Sequence, residues 1–498
     1  MKILGVSAGF HDAGLTVLDD SQILFAGHSE RYSKKKHDKN LCSLIIEKAL
    51  SYGPFDAVGY YERPWLKKTR EIYAGQGISG ETSSRWTTRG SLKKHFGEYY
   101  SQLPKNVVSF DHHLSHSAAG FQTSPYEEAT VVVIDAIGEW DTITIWDASY
   151  NDSGNAVYKK LWSQRYPHSI GLYYSAMTGR LGLRPMDEEY ILMGMAGWGR
   201  GIHAQTIHNT FVKDMQEGLF KRNLHIGVPD DFLHDAKDED VAASTQRVVE
   251  KILDFIMNKA RQLGKSRNLV YMGGVALNCL YNRRLGSHFD NIWIMPNPGD
   301  CGSSLGAAAL IHKKQLNWID PYVGTDIPGE YPVAELINAL EINKIVGVAN
   351  GRAEFGPRAL GNRSLLADPR GNEIKDQVNE IKRRQKFRPF APVILEEFVN
   401  EYFEMPKNLP LSPYMQVVAP CKHPDLYPAI VHVDGTSRVQ TVPKDCRSGI
   451  RQLLEEWHKR TGCPMLLNTS LNIRGEPMVD DRADANRFEK EYNVPVFS

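Results

Sequence analysis

The sequence predicts an α/β protein divided into more than one domain. Three observations carry that expectation. A chain of 498 residues exceeds what one hydrophobic core usually supports, which points to two or three domains. The same device recurs along it: a β-rich run, a turn of small residues, then a helix start. NLVYMGGVALNCLYNRRL (268–285) and NIWIMPNPGDCGSSLGAAALIHKK (291–314) both show it. A Pro-rich stretch, IDPYVGTDIPGEYP (319–332), reads as a linker between domains.

Taken in order, residues 2–30 read as three strands joined by short turns. A helix follows at LCSLIIEKALSYG (41–53), apolar at helical spacing and closed by Gly53. Residues 60–110, mixed and aromatic, read as an insertion of weak regular structure. VVSFDHHLSHSAAGFQTS reads as a strand feeding a helix. EEATVVVIDAIGEWDTITIWDAS (127–149) reads as a hairpin of buried strands turning around Glu139. SIGLYYSAMTGRLGL (169–183) and 240–263 are helical by spacing, and KIVGVANG (344–351) is a further strand. No internal repeat of 20–50 residues is visible.

Composition narrows the function classes. The 59 basic and 59 acidic residues cancel, so global charge gives no argument for nucleic-acid or membrane binding. Local charge is uneven: SKKKHDK (33–39), WLKKTR (65–70) and RGSLKKHF (89–96) are basic with aromatics between them. They read either as solvated faces or as a surface for an anionic partner such as a nucleotide or polynucleotide. The six cysteines form no CxxC pair, no secretory apolar region follows Met1, and no apolar run approaches a membrane span of about 20 residues. A soluble, cytoplasmic protein with free thiols is expected.

The residues able to do chemistry lie in the Gly-rich and His-rich blocks. His112 and His116 are four apart and share one face of a helix, which suits a metal; His113 points away from that face. Asp135, after VVVI, stands at a strand end. Asp300, in NPGDCGSS, opens a helix, where a carboxylate also serves as an N-cap. Two histidines with two aspartates suit Fe(II), Zn or Mn. Gly273-Gly274, Gly302-Ser303-Ser304 and Ser7-Ala8-Gly9 are turns where a phosphate could approach backbone N–H groups, although each is also an ordinary turn. Farther on, Arg352, Arg358, Arg363 and Arg370 lie among glycines, Arg388 stands beside Pro389 and Phe390, and Asn468, Thr469, Ser470, Asn472 and Arg474 follow a strand-like run. Arginine in such settings suits phosphate and planar carbamate groups.

Ten ordered stretches together resemble the nodulation-type O-carbamoyltransferases: LGVSAGFHDAG, SERYSKKKHD, DHHLSHSAAG, DAIGEW, EEYILMGMAGWG, MGGVALNC, PNPGDCGSSLGAA, GRAEFGPRALGNRSLLADPR, FRPFAPVIL and LLNTSLNIRGEP. The resemblance implies an actin/hexokinase-like (ASKHA) N-terminal domain over 1–330 and a YrdC-like C-terminal domain over 331–498. It implies that the C-terminal domain forms carbamoyl adenylate from carbamoyl phosphate and ATP. The N-terminal domain, holding a metal that is usually iron, would pass the carbamoyl group to an acceptor hydroxyl.

By motif position the resemblance makes His112, His116, Asp135 and Asp300 the metal ligands. His11, beside Asp12 in GFHDAG, becomes the base that takes the acceptor proton. Gly273, Gly274, Asn278, Gly302, Ser303 and Ser304 become nucleotide contacts. Arg388, Arg438, Asn468, Ser470 and Arg474, joined by Lys386, become the carbamoyl-phosphate and ATP group, with Mg available to ATP. The acceptor implied is a sugar, antibiotic or polyketide hydroxyl, or the hydroxymethyl of a modified pyrimidine in DNA or a nucleotide, toward which the basic 33–96 region leans. Threonylcarbamoyl transfer to tRNA and a non-catalytic nucleotide switch are the competing readings. No membrane partner is expected, and an oligomer is left open.

Overall fold

The computed structural model describes residues 1–76, 86–385 and 388–498. They form two compact units. The first comprises Met1–Ser29, His37–Tyr281 and Leu285–Trp318; the second comprises Glu30–Lys36, Asn282–Arg284 and Ile319–Ser498. No helix among the described residues is long and apolar enough to cross a membrane.

The first unit holds two five-stranded sheets of one topology. β1 (Lys2–Ser7), β2 (Gly14–Asp19), β3 (Gln22–His28), β4 (Ala57–Tyr60) and β5 (Val107–Ser109) lie in the order β3-β2-β1-β4-β5. The first three are antiparallel neighbours, and β4 and β5 add in parallel. β6 (Glu128–Gly138), β7 (Asp141–Tyr150) and β8 (Ala156–Arg165) form a second antiparallel meander. A short hairpin of β9 (Val212–Asp214) and β10 (Leu219–Phe220) intervenes. Then β11 (Asn268–Met272) and β12 (Asn291–Trp293) join β6 in parallel, giving β12-β11-β6-β7-β8. This doubled arrangement is the actin/hexokinase-like fold expected for the N-terminal domain.

Parallel additions need crossovers, and these supply the site. The stretch 60–110, expected to be weakly structured, includes the β4-to-β5 crossover, with helices Pro64–Tyr73 and Thr88–Phe96. Its aromatics masked that periodicity; residues 77–85 lie outside the described set. The helix His112–Thr123 joins β5 to β6 and begins at Asp111, whose side chain accepts the Leu114 N–H. The helix Ser303–His312 follows β12. Small residues set how closely these helices pack. A Cβ on Gly306 would overlap the Ser115 carbonyl oxygen, and one on Gly5 would overlap that of Ser304.

The second unit centres on one seven-stranded mixed sheet. β13 (Tyr322–Ile327) pairs with β15 (Gly351–Glu354) outside it. The stretch read as a linker therefore carries a strand, and the second unit's main segment begins at Ile319. β14 (Ile345–Ala349), β16 (Arg363–Ala367), β17 (Ala391–Leu395), β18 (Val417–Pro420), β19 (Thr436–Val442), β20 (Met465–Ser470) and β21 (Val496–Phe497) lie in the order β18-β19-β17-β20-β16-β14-β21. Val346, Val348, Leu365, Val393 and Leu466 are fully buried in its core. That explains why these strands read as nearly unbroken apolar runs.

Candidate functional site

In the first unit, β6 makes the key local departure. It pairs with β11 through Val133 and with β7 through Ile134, and then the β7 register shifts before Gly138. Asp135 is the first residue released from the ladder, and such a bulge re-aims a side chain. Its Oδ1 accepts the N–H groups of Ala136 (2.8 Å) and Gly274 (3.3 Å). The carboxylate is thereby fixed with Oδ2 turned toward the helix His112–Thr123.

Four side chains converge there. His112 Nε2 lies 3.4 Å from Asp135 Oδ2 and 3.3 Å from Asp300 Oδ1. His116 Nε2 lies 3.2 Å and 3.3 Å from the same oxygens. The two Nε2 atoms are 3.1 Å apart, and all four residues are buried. Bonds of about 2.1 Å to one ion would separate neighbouring ligand atoms by about 3.0–3.4 Å, so these spacings fit a single cation. Charge fits as well: two carboxylates with two neutral imidazoles carry two negative charges, which a divalent ion balances.

The protonation directions agree. Burial opposes charge on both imidazoles, yet Asp300 and Asp135 hold His112 well above its ordinary value and raise His116. Burial also opposes charge on Asp135 and Asp300, but the histidines hold both below the usual carboxylate range. The group attracts positive charge at its centre. His113 differs. Burial, then His112 and His116, push it well below its ordinary value, and its Nδ1 meets Thr144 Oγ1 at 2.9 Å.

Around this group, Tyr61 packs its ring 5.1 Å from that of His112. Gly138 abuts the His112 and His113 rings so closely that a Cβ would overlap both. His11 and Asp12, in the β1–β2 turn, form a dyad with Nδ1 of His11 2.8 Å from Asp12 Oδ2. Burial lowers the His11 pKa, but Asp12, and beyond it Asp300 and Asp135, bring it up to about 9.

Several expected nucleotide contacts have other work. The Gly274 N–H holds Asp135, and a Cβ on Gly273 would overlap the β6 backbone at Ile134. Asn278 exchanges amide hydrogen bonds with Gln246 (3.1 and 3.0 Å) and accepts the Tyr281 N–H. Ser304 is fully buried, with its hydroxyl on Thr16 and the Cys301 carbonyl, and a Cβ on Gly302 would overlap the Asn297 carbonyl. Small residues in these turns serve close packing, which sequence spacing does not separate from phosphate binding. Ser303 Oγ, also buried, has no hydrogen-bond partner among the described residues.

In the second unit, topology gathers the expected group at one sheet end. β19 runs parallel to β17, and β20 runs antiparallel to it. The approach to β17 (Arg388), the start of β19 (Arg438) and the end of β20 (Ser470) therefore share an edge. Arg438 Nε is buried without a hydrogen-bond partner among the described residues, as is Asn468 Oδ1. The Asn468 amide nitrogen donates to Ala359 O and Gln440 Oε1. Arg474 stands beyond β20, and its backbone N–H donates to Lys382 O at 3.0 Å. Lys386 lies outside the described residues.

Sequence reading missed Lys382. It is 4 % exposed, and its Nζ donates to Ser470 O (2.5 Å), Ser470 Oγ (3.0 Å) and Asn472 Oδ1 (2.8 Å). Burial, then the cationic Arg384, Arg388 and Lys36, push its pKa well below the ordinary lysine value. Such crowding of like charge suits an anion. The clue was the run KRRQKFR itself, where only Lys386 and Arg388 stood out. The arginines of 351–370 require a correction. Arg363 is fully buried and donates to the carbonyls of Asp480, Asn350, Gly351, Asn362 and Thr325. Arg352 holds Val323 and Gly324, and Arg370 holds Asp368. These three brace the fold.

The chain matches the family model described as carbamoyltransferase N-terminus over residues 85–309 and that described as carbamoyltransferase C-terminus over 337–497. It is 38% identical to nodulation protein U of Sinorhizobium fredii (strain NBRC 101917 / NGR234), covering 99% of this chain and 98% of that protein. It is 31% identical to an uncharacterized protein of Synechocystis sp. (strain ATCC 27184 / PCC 6803 / Kazusa), covering 97% of this chain and 93% of that one. Among solved structures, the (R)-2-hydroxyglutaryl-CoA dehydratase component A of Acidaminococcus fermentans is similar over 63% of this chain and 98% of that chain, at 14% identity and a TM-score of 0.35. With both halves matched in order and these relatives spanned over nearly their whole length, the chain belongs to the carbamoyltransferase family and is a transferase enzyme.

Proposed function

We propose that the protein forms carbamoyl adenylate from carbamoyl phosphate, water and ATP, releasing inorganic phosphate and pyrophosphate, in its second, YrdC-like unit and transfers the carbamoyl group to an acceptor hydroxyl in its first unit. The observation that carries this reading is the convergence of His112, His116, Asp135 and Asp300. Fe(II) is the ion we assign to them; bound, it would act as a Lewis acid toward the carbonyl or phosphoryl oxygens of the mixed anhydride. The chain's own groups do the rest. Arg388 and Arg438 supply positive charge for the anionic substrates, joined by Lys382 once an anion offsets the crowding that disfavours its charge, and the Ser470 hydroxyl, fixed by Lys382 and Asn472, orients them. In the transfer step the acceptor oxygen bonds to the carbonyl carbon, the bond from that carbon to the adenylate oxygen breaks, and AMP leaves with the electron pair. The acceptor proton passes to Nε2 of His11.

The acceptor we favour is a small hydroxyl-bearing molecule such as a sugar or antibiotic. The basic region that suggested a nucleic acid is partly neutralised internally. Lys67 meets Glu62 at 2.9 Å, Lys68 meets Glu71 at 2.6 Å, and Arg70 is buried against the Glu139 carbonyl. Modified DNA or a nucleotide therefore becomes the second reading. The two matched halves favour O-carbamoyl transfer over threonylcarbamoyl transfer to tRNA and over a nucleotide switch. The test is incubation with ATP, carbamoyl phosphate and a panel of aminoglycosides, nucleotides and hydroxymethylated DNA, with bound iron measured alongside. Carbamoylated product that requires both ATP and carbamoyl phosphate supports the reading. Salt-sensitive reaction on DNA alone would select the nucleic-acid acceptor instead.

A further inference from the structure

Asp12 stands at the centre of three histidines. Its Oδ2 faces His11 Nδ1 at 2.8 Å, and its Oδ1 faces both His28 Nε2 at 3.1 Å and His37 Nδ1 at 2.8 Å. Burial pushes the Asp12 carboxyl up, but His11, with further hydrogen bonds from His28 and His37, holds it well below the usual carboxylate range. An ionised carboxylate only accepts hydrogen bonds. Each ring nitrogen against Asp12 therefore carries a hydrogen, and that settles the tautomers. His11 must be protonated at Nδ1, which leaves Nε2 with the lone pair when the ring is neutral.

The surrounding backbone makes this arrangement a built one. Asp12 has φ of +52° and His37 has φ of +53°, both in the left-handed region that non-glycine residues seldom enter. The Ala13 N–H donates to Asp38 O and the Gly9 N–H to Lys39 O, each at 2.8 Å, strapping the segment after His37 to the β1–β2 turn. His28 ends β3 and pairs with Gly14 of β2. On its far side, His37 Nε2 lies 3.0 Å from Asp187 Oδ1, and Arg184 holds the other oxygen of Asp187 at 2.8 Å. One carboxylate oxygen of Asp12 thus serves His11, while the other is clamped from two sides.

We propose that His28 and His37 are positioning residues for carbamoyl transfer, fixing the Asp12 carboxylate so that it holds His11 in the tautomer and orientation in which Nε2 takes the acceptor proton. Asp187 extends the clamp by fixing the His37 ring. A single contact between Asp12 and His11 would leave the carboxylate free to rotate about its own side chain. Hydrogen bonds to the second oxygen remove that freedom. This inference rests on the proposed role of His11 as the base.

The experiment uses the full-length chain with iron loaded and compares His37→Ala, His37→Asn, His28→Ala, His28→Gln and His11→Ala. Asparagine places an N–H near the Nδ1 position, and glutamine places one near Nε2, so each conservative variant can restore its bond to Asp12. We expect His37→Ala and His28→Ala to lower the transfer kcat by about 10²-fold with the acceptor KM little changed, and the conservative variants to recover most of the loss. ATP–pyrophosphate exchange dependent on carbamoyl phosphate serves as the control for the adenylate-forming half. If His11→Ala abolishes transfer while both alanine variants keep wild-type kcat, the clamp is wrong and the base stands. If His11→Ala itself keeps near wild-type transfer, the base reading fails and the clamp fails with it. Loss in the alanine variants without recovery in the conservative ones, accompanied by lost thermal stability, would assign the histidines to the fold and also overturn the proposal.

Discussion

Glu139→Gln should stabilise the protein at neutral pH, by an amount that grows with pH. Glu139 occupies the β6–β7 turn with φ of +60° and is buried. Its Oε1 accepts the Arg63 N–H. Burial first, and Asp111 second, push its carboxyl up to about 8 from an ordinary value of 4.5. The sign follows from proton counting: between those two values the folded state keeps a proton that the unfolded chain releases. Stability therefore falls as pH rises through that window, by about 1.4 kcal/mol per pH unit, and levels off above the folded value. At pH 7 the penalty is about 3 kcal/mol, and at pH 5 it is under about 1 kcal/mol. Glutamine keeps the acceptor for Arg63 and removes the titration. Urea unfolding of metal-stripped wild-type and Glu139→Gln protein at pH 5, 6, 7 and 8, followed by tryptophan fluorescence, measures the difference; Trp140 is adjacent in sequence. A difference independent of pH, or a less stable glutamine variant at pH 7, would refute the reasoning.

Other outcomes follow from the same geometry. His116→Ala removes one of four convergent ligand atoms, so bound iron, read by elemental analysis, should fall to near background and transfer should be lost, while carbamoyl-phosphate-dependent pyrophosphate exchange persists. Lys382→Met deletes a buried amine with three hydrogen bonds to Ser470 and Asn472; steady-state kinetics should show a rise in the KM for carbamoyl phosphate of about 30-fold, equivalent to about 2 kcal/mol. With His11 raised to about 9, its base form grows about tenfold per pH unit below that value. The transfer kcat of the iron-loaded enzyme should therefore rise with pH above neutrality and flatten below 9, because a cation held by Asp135 and Asp300 would cancel their share of the shift. Asp12→Asn removes the charge that raises His11 and should move this limb to lower pH, which a pH–rate profile reads directly.

The strands and the chemistry-bearing histidines were legible in the sequence for different reasons. Buried strands announce themselves through apolar runs, as at Val131–Ile134, and residues 2–30 show their turns through glycine and polar breaks. A spacing of four on one helix face marked His112 and His116, since helical geometry leaves such a pair adjacent. The release of Asp135 was only half legible. Its place after an apolar run was visible, but the register shift depends on pairing with β7, a residue relationship that local patterning does not contain. Glycine was the hardest residue to read. Gly274 supports a carboxylate through its N–H, whereas Gly302 and Gly306 admit neighbouring backbone, and the same small-residue signal stands for both. Arg363 misled for a related reason: a buried guanidinium satisfied by five carbonyls looks, in sequence, like one awaiting phosphate.

The cancelling totals of 59 acidic and 59 basic residues conceal two local fields of opposite sign. In the first unit, Asp135 and Asp300 face two imidazoles and pull protons onto them, the condition under which a divalent ion competes for the same nitrogens. In the second, Lys382 is surrounded by Arg384, Arg388 and Lys36, and its charge is disfavoured by all of them. The second field costs stability, because like charges repel and burial removes hydration; in the first, the buried carboxylates stay ionised only by drawing positive charge onto the facing imidazoles. A protein retains such clusters where a ligand of opposite charge relieves them. A cation would relieve the first and a phosphate the second, which is the pair of ligands that the proposed ATP-dependent carbamoyl transfer would need. If carbamoyl phosphate binding raised thermal stability in the wild type and raised it equally in Lys382→Met, relief of the cationic cluster would not be its basis, and the assignment of that cluster to the anionic substrate would fall.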